Sequence, residues 1–123
     1  TEYVDLREEM TVGQAMAHIK KTGIHKETIY TCYVTNHDRK LEGLVTVREL
    51  LLSPKTAIIG EIMQTHVIAA STLDDKEKVA NQLQKYDFLA LPVVDQEYRL
   101  VGIVTFDDAM DVLQEENTED NNE

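Results

Sequence analysis

Leu41-Glu42-Gly43-Leu44-Val45-Thr46 returns 59 positions later as Leu100-Val101-Gly102-Ile103-Val104-Thr105. Upstream, residues 1–19 match residues 65–83 at an offset of 64, so the first copy carries about five extra residues near 23–28. The chain is therefore two copies of one unit. A duplication of this kind builds a pseudo-two-fold interface, and clefts at such interfaces are common ligand sites.

The composition favours a folded protein from a reducing compartment. With 123 residues and 42% apolar content, the chain can bury one core, or two small cores that share an interface. No apolar run approaches the roughly 18 residues that cross a bilayer, so we expect a soluble piece with no membrane insertion of its own. The single cysteine, Cys32, lies among aromatic and β-branched neighbours, which suits a small core residue of a cytosolic protein.

The charge balance is strongly acidic. The formal net charge is −11, from 23 Asp and Glu against 12 Lys and Arg. After Arg99 the sequence contains no further Lys or Arg. Because such a field repels phosphate backbones and anionic membrane surfaces, we expect no nucleic acid partner and favour cations instead.

Both copies repeat one plan of strand, helix, strand, strand and helix. The hydrophobic pattern predicts strands at 29–35, 41–46, 67–70, 90–94 and 100–105, with a last helix after Thr105. Helix caps are predicted at four pairs: Thr11 with Gln14, Thr46 with Glu49, Asp74 with Glu77, and Thr105 with Asp108. The prediction is an α/β fold with a first domain at 1–59, a second domain at 60–116 and an acidic tail at 117–123.

The last predicted helix carries several carboxylates on one face. Asp108, Asp111 and Glu115 are spaced i, i+3 and i+7, and Asp107 lies beside them. Like charges toward the C-terminal end of a helix cost a few tenths of a kcal/mol each, and a bound cation would offset that cost. From the spacing alone, a solvated face of an acidic protein is the simpler interpretation.

A family resemblance enters at two motifs. Pro92-Val93-Val94-Asp95, followed by a hairpin and Gly102-Ile103-Val104-Thr105-Phe106-Asp107-Asp108, resembles the cystathionine-β-synthase-type (CBS) domain, which occurs in tandem pairs. The stretches 27–30, 86–95 and 107–120 further resemble the cytosolic CBS pair of MgtE-type magnesium transporters. Two departures are Tyr98, where the hairpin usually has glycine, and Glu49, where the first copy often has aspartate. The second departure weakens any nucleotide site in the first copy.

The resemblance implies a magnesium-sensing regulatory module on the cytoplasmic face of the cell membrane. It implies two CBS domains packed as a pseudo-two-fold pair, a homodimer, and attachment to an amino-terminal helical domain and a transmembrane domain. The implied Mg²⁺ ligands, carried over by position, are Asp75, Glu77, Asp87, Asp108, Asp111 and Glu119. Mg²⁺ prefers oxygen ligands and usually takes one or two carboxylates per site, so sparse acids suit it. We expect Mg²⁺ to relieve carboxylate repulsion and so bias channel gating.

The alternative function is an adenine-nucleotide-binding CBS module, with ATP or AMP as the ligand. The resemblance implies a slot for adenine and contacts to ribose and phosphate, formed by Ile68, Phe88, Leu91, Pro92, Thr105, Asp108 and Arg48. Thr105 and Asp108 are equally explained as a helix cap and its partner. A structural dimerisation domain is a third possibility. The sequence offers no catalytic arrangement of residues, so we expect no enzymatic activity.

Overall fold

The computed structural model of the chain describes residues 3–22, 31–86 and 90–107. The first copy contains strands β1 (Val4–Leu6), β2 (Thr31–Thr35) and β3 (Leu41–Thr46) with helices α1 (Val12–Thr22) and α2 (Val47–Leu52). A short helix α3 (Ile59–Ile62) lies between the copies. The second copy contains β4 (Ala70–Ser71), helix α4 (Lys76–Tyr86), β5 (Ala90–Val94) and β6 (Leu100–Thr105).

Each copy forms its own three-stranded sheet, and the two sheets have the same pairing. The first strand runs parallel to the middle strand, and the middle strand runs antiparallel to the last. Thr31 pairs with Thr46 as Ala90 pairs with Thr105, and both hairpins shift register at the equivalent step, 34/35 and 93/94. The predicted α/β architecture of two repeated units is confirmed.

The two hairpin turns share an unusual backbone conformation. Arg39 has a φ of 66° and Tyr98 a φ of 65°, both in the left-handed region that favours glycine. At the start of each turn, Asn36 and Asp95 accept two backbone N–H groups through Oδ1, from the residues two and four positions later. These side-chain bonds fix the turn, so Tyr98 is accommodated where the family usually has glycine.

The copies meet through their hairpins. The Leu41 N–H donates to the Tyr98 carbonyl at 3.0 Å, and the Leu100 N–H donates to the Arg39 carbonyl at 2.9 Å. This exchange is reciprocal, as a pseudo-two-fold axis between the hairpins requires. Around it, four side chains are buried between the sheets: Tyr33, Leu41, Val94 and Leu100. The interface is therefore apolar and continuous with both sheets.

Each sheet also covers a core on its other face. In the first copy the buried core comprises Val4, Leu6, Val12, Ala15, Cys32, Val34, Val45, Leu50 and Ile59. Burial raises the pKa of the Cys32 thiol to about 12, and the prediction that Cys32 is a core residue is confirmed. Within the described part of the second copy, the buried cluster comprises Ala80, Leu83 and Leu91.

Two of the four predicted helix caps are confirmed, and a third, Thr105 with Asp108, extends outside the described residues. Thr11 and Gln14 each accept the other's backbone N–H, at 3.0 and 3.1 Å. The Thr46 hydroxyl accepts the Glu49 N–H at 3.1 Å. The chain beyond Thr105, where a last helix is predicted, lies mostly outside the described residues.

The predicted Asp74 cap is wrong by one residue. Helix α4 begins at Lys76, and Asp75 Oδ1 accepts the Lys78 N–H at 2.7 Å. Asp74 instead closes the preceding turn by accepting the Ser71 N–H at 2.9 Å. This bond, together with the Lys78 ammonium, holds the pKa of the Asp74 carboxyl below its usual range.

The strand predicted at 67–70 is shorter and later than expected. Pairing with β5 begins only at Ala70, and the preceding Val67 and Ala69 pack against the interface cluster between the sheets. The short helix α3 was not predicted, since four residues carry too little periodicity to identify a helix.

Candidate functional site

A cleft of about 320 Å³ opens between the two copies. Its walls come from β2 and β3 of the first copy, from β5 of the second, and from the segment that leads into β4. The lining residues are Thr31, Tyr33, Leu44, Thr46, Gln64, His66, Ile68, Ala90, Leu91 and Pro92. The volume and the position between two domains are typical of small-molecule sites.

Strand alternation explains why these side chains reach the cleft. On β2, Thr31 and Tyr33 alternate with Cys32 and Val34, which are buried in the first core. On β3, Leu44 and Thr46 flank the buried Val45 in the same way. One face of the first sheet therefore builds the core, and the opposite face builds the cleft wall.

The cleft is lined by both apolar and polar side chains. Leu44, Ile68, Leu91 and Pro92 supply the apolar surface, whereas Thr31, Thr46, Gln64 and His66 supply hydrogen-bonding groups. Among the described lining residues there is no Lys, Arg, Asp or Glu. A slot of this chemistry suits a flat heterocycle with a few polar edges, as in a nucleoside.

Glu49 accepts hydrogen bonds from two of the polar side chains that line this cleft. The Thr46 hydroxyl donates to Glu49 Oε1 at 3.1 Å, and Gln64 Nε2 donates to the same oxygen at 3.3 Å. The glutamate side chain, where the family often has aspartate, thus folds back onto Thr46. A ligand that bonds to the Thr46 hydroxyl must share it with Glu49 or displace that carboxylate.

The residues predicted for a nucleotide are only partly brought together. Ile68, Leu91 and Pro92 line the cleft. Arg48 is exposed on α2, and neither it nor Thr105 is among the described lining residues. Phe88 and Asp108 lie outside the described residues.

Thr46, the equivalent of Thr105 in the first copy, supplies one of the hydroxyls of the cleft. The pseudo-two-fold axis sets the β5 strand of the second copy opposite the β3 motif of the first. Apart from Arg48, the sequence prediction took its groups from the second copy, whereas the cleft is lined by residues of both copies. The repeat could have indicated this combination, because a two-fold arrangement sets one part of the repeated unit opposite a different part of the other copy.

Two of the predicted Mg²⁺ ligands lie at the start of α4. Asp75 and Glu77 are exposed and border a shallow depression of about 360 Å³, whose other lining residues are Lys78, Asn81, Gln82 and Lys85. The remaining four predicted ligands, Asp87, Asp108, Asp111 and Glu119, lie outside the described residues. Within 3–22, 31–86 and 90–107, no three His, Cys, Asp or Glu side chains are grouped to hold a metal ion.

A carboxyl pair that the sequence did not reveal lies on the first copy. A hydrogen bond with the Glu42 carboxyl, followed by repulsion from it, raises the pKa of Glu8 above its usual range, and nearby Glu9 adds to the effect. The pair arises because β3 passes beside the loop between β1 and α1. No spacing rule links positions so far apart in sequence.

Comparisons with known proteins cover both copies. The CBS domain family matches residues 1–54 and 59–115. The magnesium transporter MgtE of Thermus thermophilus is 44% identical over 119 residues, which are 97% of this chain and 26% of that protein. The chain thus spans about a quarter of the length of that curated relative.

Two solved structures resemble the chain closely. The soluble part of a magnesium transporter aligns with a TM-score of 0.88 and 39% identity, over 94% of this chain and 45% of that one. The cytosolic domain of the Mg²⁺ channel MgtE in complex with ATP aligns with a TM-score of 0.84 and 42% identity, over 89% and 44%.

The described helices are all too short or too polar to span a bilayer. The repeated sheets, the equivalent turns and the match over both copies have one explanation. The chain belongs to the CBS domain family, as a tandem pair similar to that of the MgtE magnesium transporters.

Proposed function

We propose that this chain is the cytosolic magnesium-sensing module of an MgtE-type transporter, where Mg²⁺ bound by its acidic residues biases gating. The observation that carries the proposal is the 44% identity to an MgtE transporter over 97% of the chain. The excess of 23 acidic over 12 basic residues supports a cation as the ligand.

The proposed ligands are Asp75, Glu77, Asp87, Asp108, Asp111 and Glu119. Exposed carboxylates fit Mg²⁺, because this ion keeps several of its waters and takes only one or two carboxylates at a site. Asp75 and Glu77 have this character, since both are exposed, Asp75 as the cap of α4 and Glu77 on its first turn. They face outward, where another domain or subunit can supply further oxygen ligands.

The mechanism follows from Coulomb repulsion. Two carboxylates about 6 Å apart repel by about 0.7 kcal/mol in water and about 3 kcal/mol at an effective dielectric constant near 20. Bound Mg²⁺ replaces this repulsion with bridging. Several such sites together reach the roughly 5.5 kcal/mol that moves a two-state equilibrium from 1:99 to 99:1.

The proposal places the module in a homodimer on the cytoplasmic side of the membrane. The amino-terminal helical domain and the transmembrane domain of the same transporter are its partners. Closure of the acidic surfaces by Mg²⁺ would then pull on the segment that leads to the pore.

Calorimetric titration of the full-length protein with Mg²⁺ tests this function. Asp108→Asn combined with Asp111→Asn should abolish part of the heat of binding, whereas Asp38→Asn, which changes an exposed turn residue, should leave it unchanged. Melting and compaction must also respond to Mg²⁺ at constant ionic strength. If neither changes, the magnesium-sensing proposal fails.

The cleft supports a second candidate, the binding of an adenine nucleotide. Its apolar wall of Ile68, Leu91 and Pro92 suits a nucleobase, and the hydroxyl of Thr46 lies at its polar side. A similar solved structure, the cytosolic domain of the Mg²⁺ channel MgtE, is in complex with ATP. ATP or AMP is the proposed ligand, with Phe88 as a further wall of the slot.

Titration with ATP and with AMP tests this second candidate. Ile68→Ala and Phe88→Ala should each weaken binding by about 1–3 kcal/mol through lost apolar contact. Leu73→Ala is the matched control, because Leu73 is 72% exposed. If neither nucleotides nor Mg²⁺ bind, a structural dimerisation domain is the remaining interpretation.

A further inference from the structure

The outer edges of the two sheets differ. On β3, the Leu44 N–H donates to the Gln64 carbonyl at 2.9 Å, and the Gln64 N–H donates to the Leu44 carbonyl at 2.8 Å. Ile103 is the equivalent of Leu44, since it pairs with Pro92 as Leu44 pairs with Tyr33. Its N–H and carbonyl therefore point to the outer edge of β6. Within the described residues, neither group has a partner there.

The neighbouring glycines differ in the same way. A Cβ added to Gly43 would lie 2.7 Å from the Gln64 carbonyl oxygen and 2.8 Å from Met63 Sδ. Glycine is required there because the segment between the copies passes directly over it. A Cβ added to the equivalent Gly102 would meet no atom of the described residues within 4 Å, and Gly102 does not have a left-handed backbone. Nothing in the described chain explains a glycine at this position.

The β6 edge is also apolar and open. Val101 is 49% exposed beside Gly102, whereas its equivalent in the first copy is Glu42. An exposed strand edge with unpaired backbone groups and an apolar side chain is a site for pairing with another segment. The unpaired Ile103, the unexplained glycine and the exposed valine lie on three consecutive residues.

The repeat identifies the segment that fits. Residues 63–64 precede the second copy, and residues 1–19 match 65–83 at an offset of 64. The equivalents of 63–64 are thus the two residues that come before Thr1 in the full-length protein, whose MgtE relatives are about four times as long as this chain. We propose that this preceding segment pairs with Ile103 at the β6 edge and passes over Gly102.

This contact would attach the segment that precedes the first copy to the sheet of the second copy. Whatever precedes the module in the full-length protein would be attached across the pseudo-two-fold interface, to the sheet farther along the chain. A movement between the copies would therefore displace the preceding segment directly. The inference rests on the repeat and the edge geometry alone, and holds whichever ligand the module binds.

Amide hydrogen exchange in the full-length protein tests the pairing. Leu44 is an internal control, because its N–H bond to Gln64 is present in the structure. The Ile103 amide should be protected to within about tenfold of Leu44. If Ile103 exchanges faster than that, its edge is open and the proposal is overturned.

Two sets of variants identify the occupant. Gly102→Val should lower the melting midpoint of the full-length protein as Gly43→Val does; an unchanged midpoint for Gly102→Val alone contradicts the proposal. Ile103→Cys, combined with cysteine at the residue immediately before Thr1, should form a disulfide within one chain, because the antiparallel bridge between Leu44 and Gln64 sets these equivalent positions opposite each other. A disulfide between the Ile103→Cys positions of two chains assigns the edge to a second copy and overturns the proposed occupant, as does the absence of any disulfide.

Discussion

The two copies differ in side-chain chemistry where their parallel strands end. In the first copy, Arg7 Nη1 donates to Asp5 Oδ1 at 3.0 Å and also to the Thr35 hydroxyl, which donates in turn to Asp5. Thr35 is only 1% exposed. A closed polar cluster thus joins β1 to β2, and each member leaves the others unsatisfied if it is removed.

In the second copy the equivalent positions hold Ala69, Ser71 and Val94. Val94 is 5% exposed and packs in the apolar interface between the sheets. Yet Ser71 pairs with Val94 in the same parallel register that brings the first-copy strands together. The same strand pairing is therefore compatible with a polar cluster at this end of the sheet or with an apolar side chain. The sequence pattern that both copies share specifies the pairing, and the side chains at this end adjust its stability.

The largest expected effect on stability comes from a buried position at which the two copies differ. Leu50 is 1% exposed in the first core, and its equivalent in the second copy is Ala109. Leu50→Ala should reduce the free energy of unfolding by about 2–5 kcal/mol, through lost burial and the cavity left behind. Urea denaturation measures it. Leu51→Ala is the control, since Leu51 is 65% exposed, and an equal loss in both variants would contradict the assigned core.

A smaller effect tests the polar closure. Thr35→Val converts this position of the first copy to the residue of the second, and leaves Arg7 and Asp5 without the buried hydroxyl. We expect a loss of about 1–2 kcal/mol in the free energy of unfolding. The exposed Thr72→Val should change it by less than about 0.5 kcal/mol. A stability for Thr35→Val equal to that of the parent chain would mean that the cluster is dispensable.

The smallest effect concerns the carboxyl pair of the first copy, which the second copy replaces with Thr72 and Val101. Because the folded-state pKa of Glu8 is raised by Glu42, folding is favoured below the usual glutamate pKa. That contribution is lost as the pH rises through the raised value. Glu42→Gln should therefore reduce the fall of the urea midpoint between about pH 4 and pH 7.

Asp38→Asn is the matched control for this measurement, because Asp38 is an exposed turn carboxylate away from the pair. Its midpoint should follow the pH curve of the parent chain. Parallel curves for Glu42→Gln and the parent chain would show that the Glu8–Glu42 pair does not affect folding.

The fold was largely predictable because the duplication presents each strand signal twice, once in each copy. The position of β6 matches the prediction, and the equal offsets of β3 and β6 anticipated the equal registers. The cap of α4 was harder to predict, because Asp74 and Asp75 compete for that role. Ser71 and Lys78 both bond to Asp74, which leaves Asp75 to cap α4. Two adjacent aspartates are equally good caps until the preceding turn is known.

The candidate site was less predictable than the fold. The apolar residues Ile68, Leu91 and Pro92 line one cleft, and they lie in the same copy. The hydroxyl was assigned to Thr105, whereas Thr46 lines the cleft, since the partner across a pseudo-two-fold axis depends on how the copies face each other. The contact between Glu8 and Glu42 likewise depends on tertiary packing.

The reciprocal bonds between the hairpins suggest how such a module arises. A lone copy would expose the backbone groups that Leu41 and Leu100 now satisfy, and it could bond to an identical chain by the same exchange. Joining two copies in one polypeptide makes that association intramolecular, at an effective concentration set by the short linking segment. Each half can then diverge in sequence while the other half preserves the assembly.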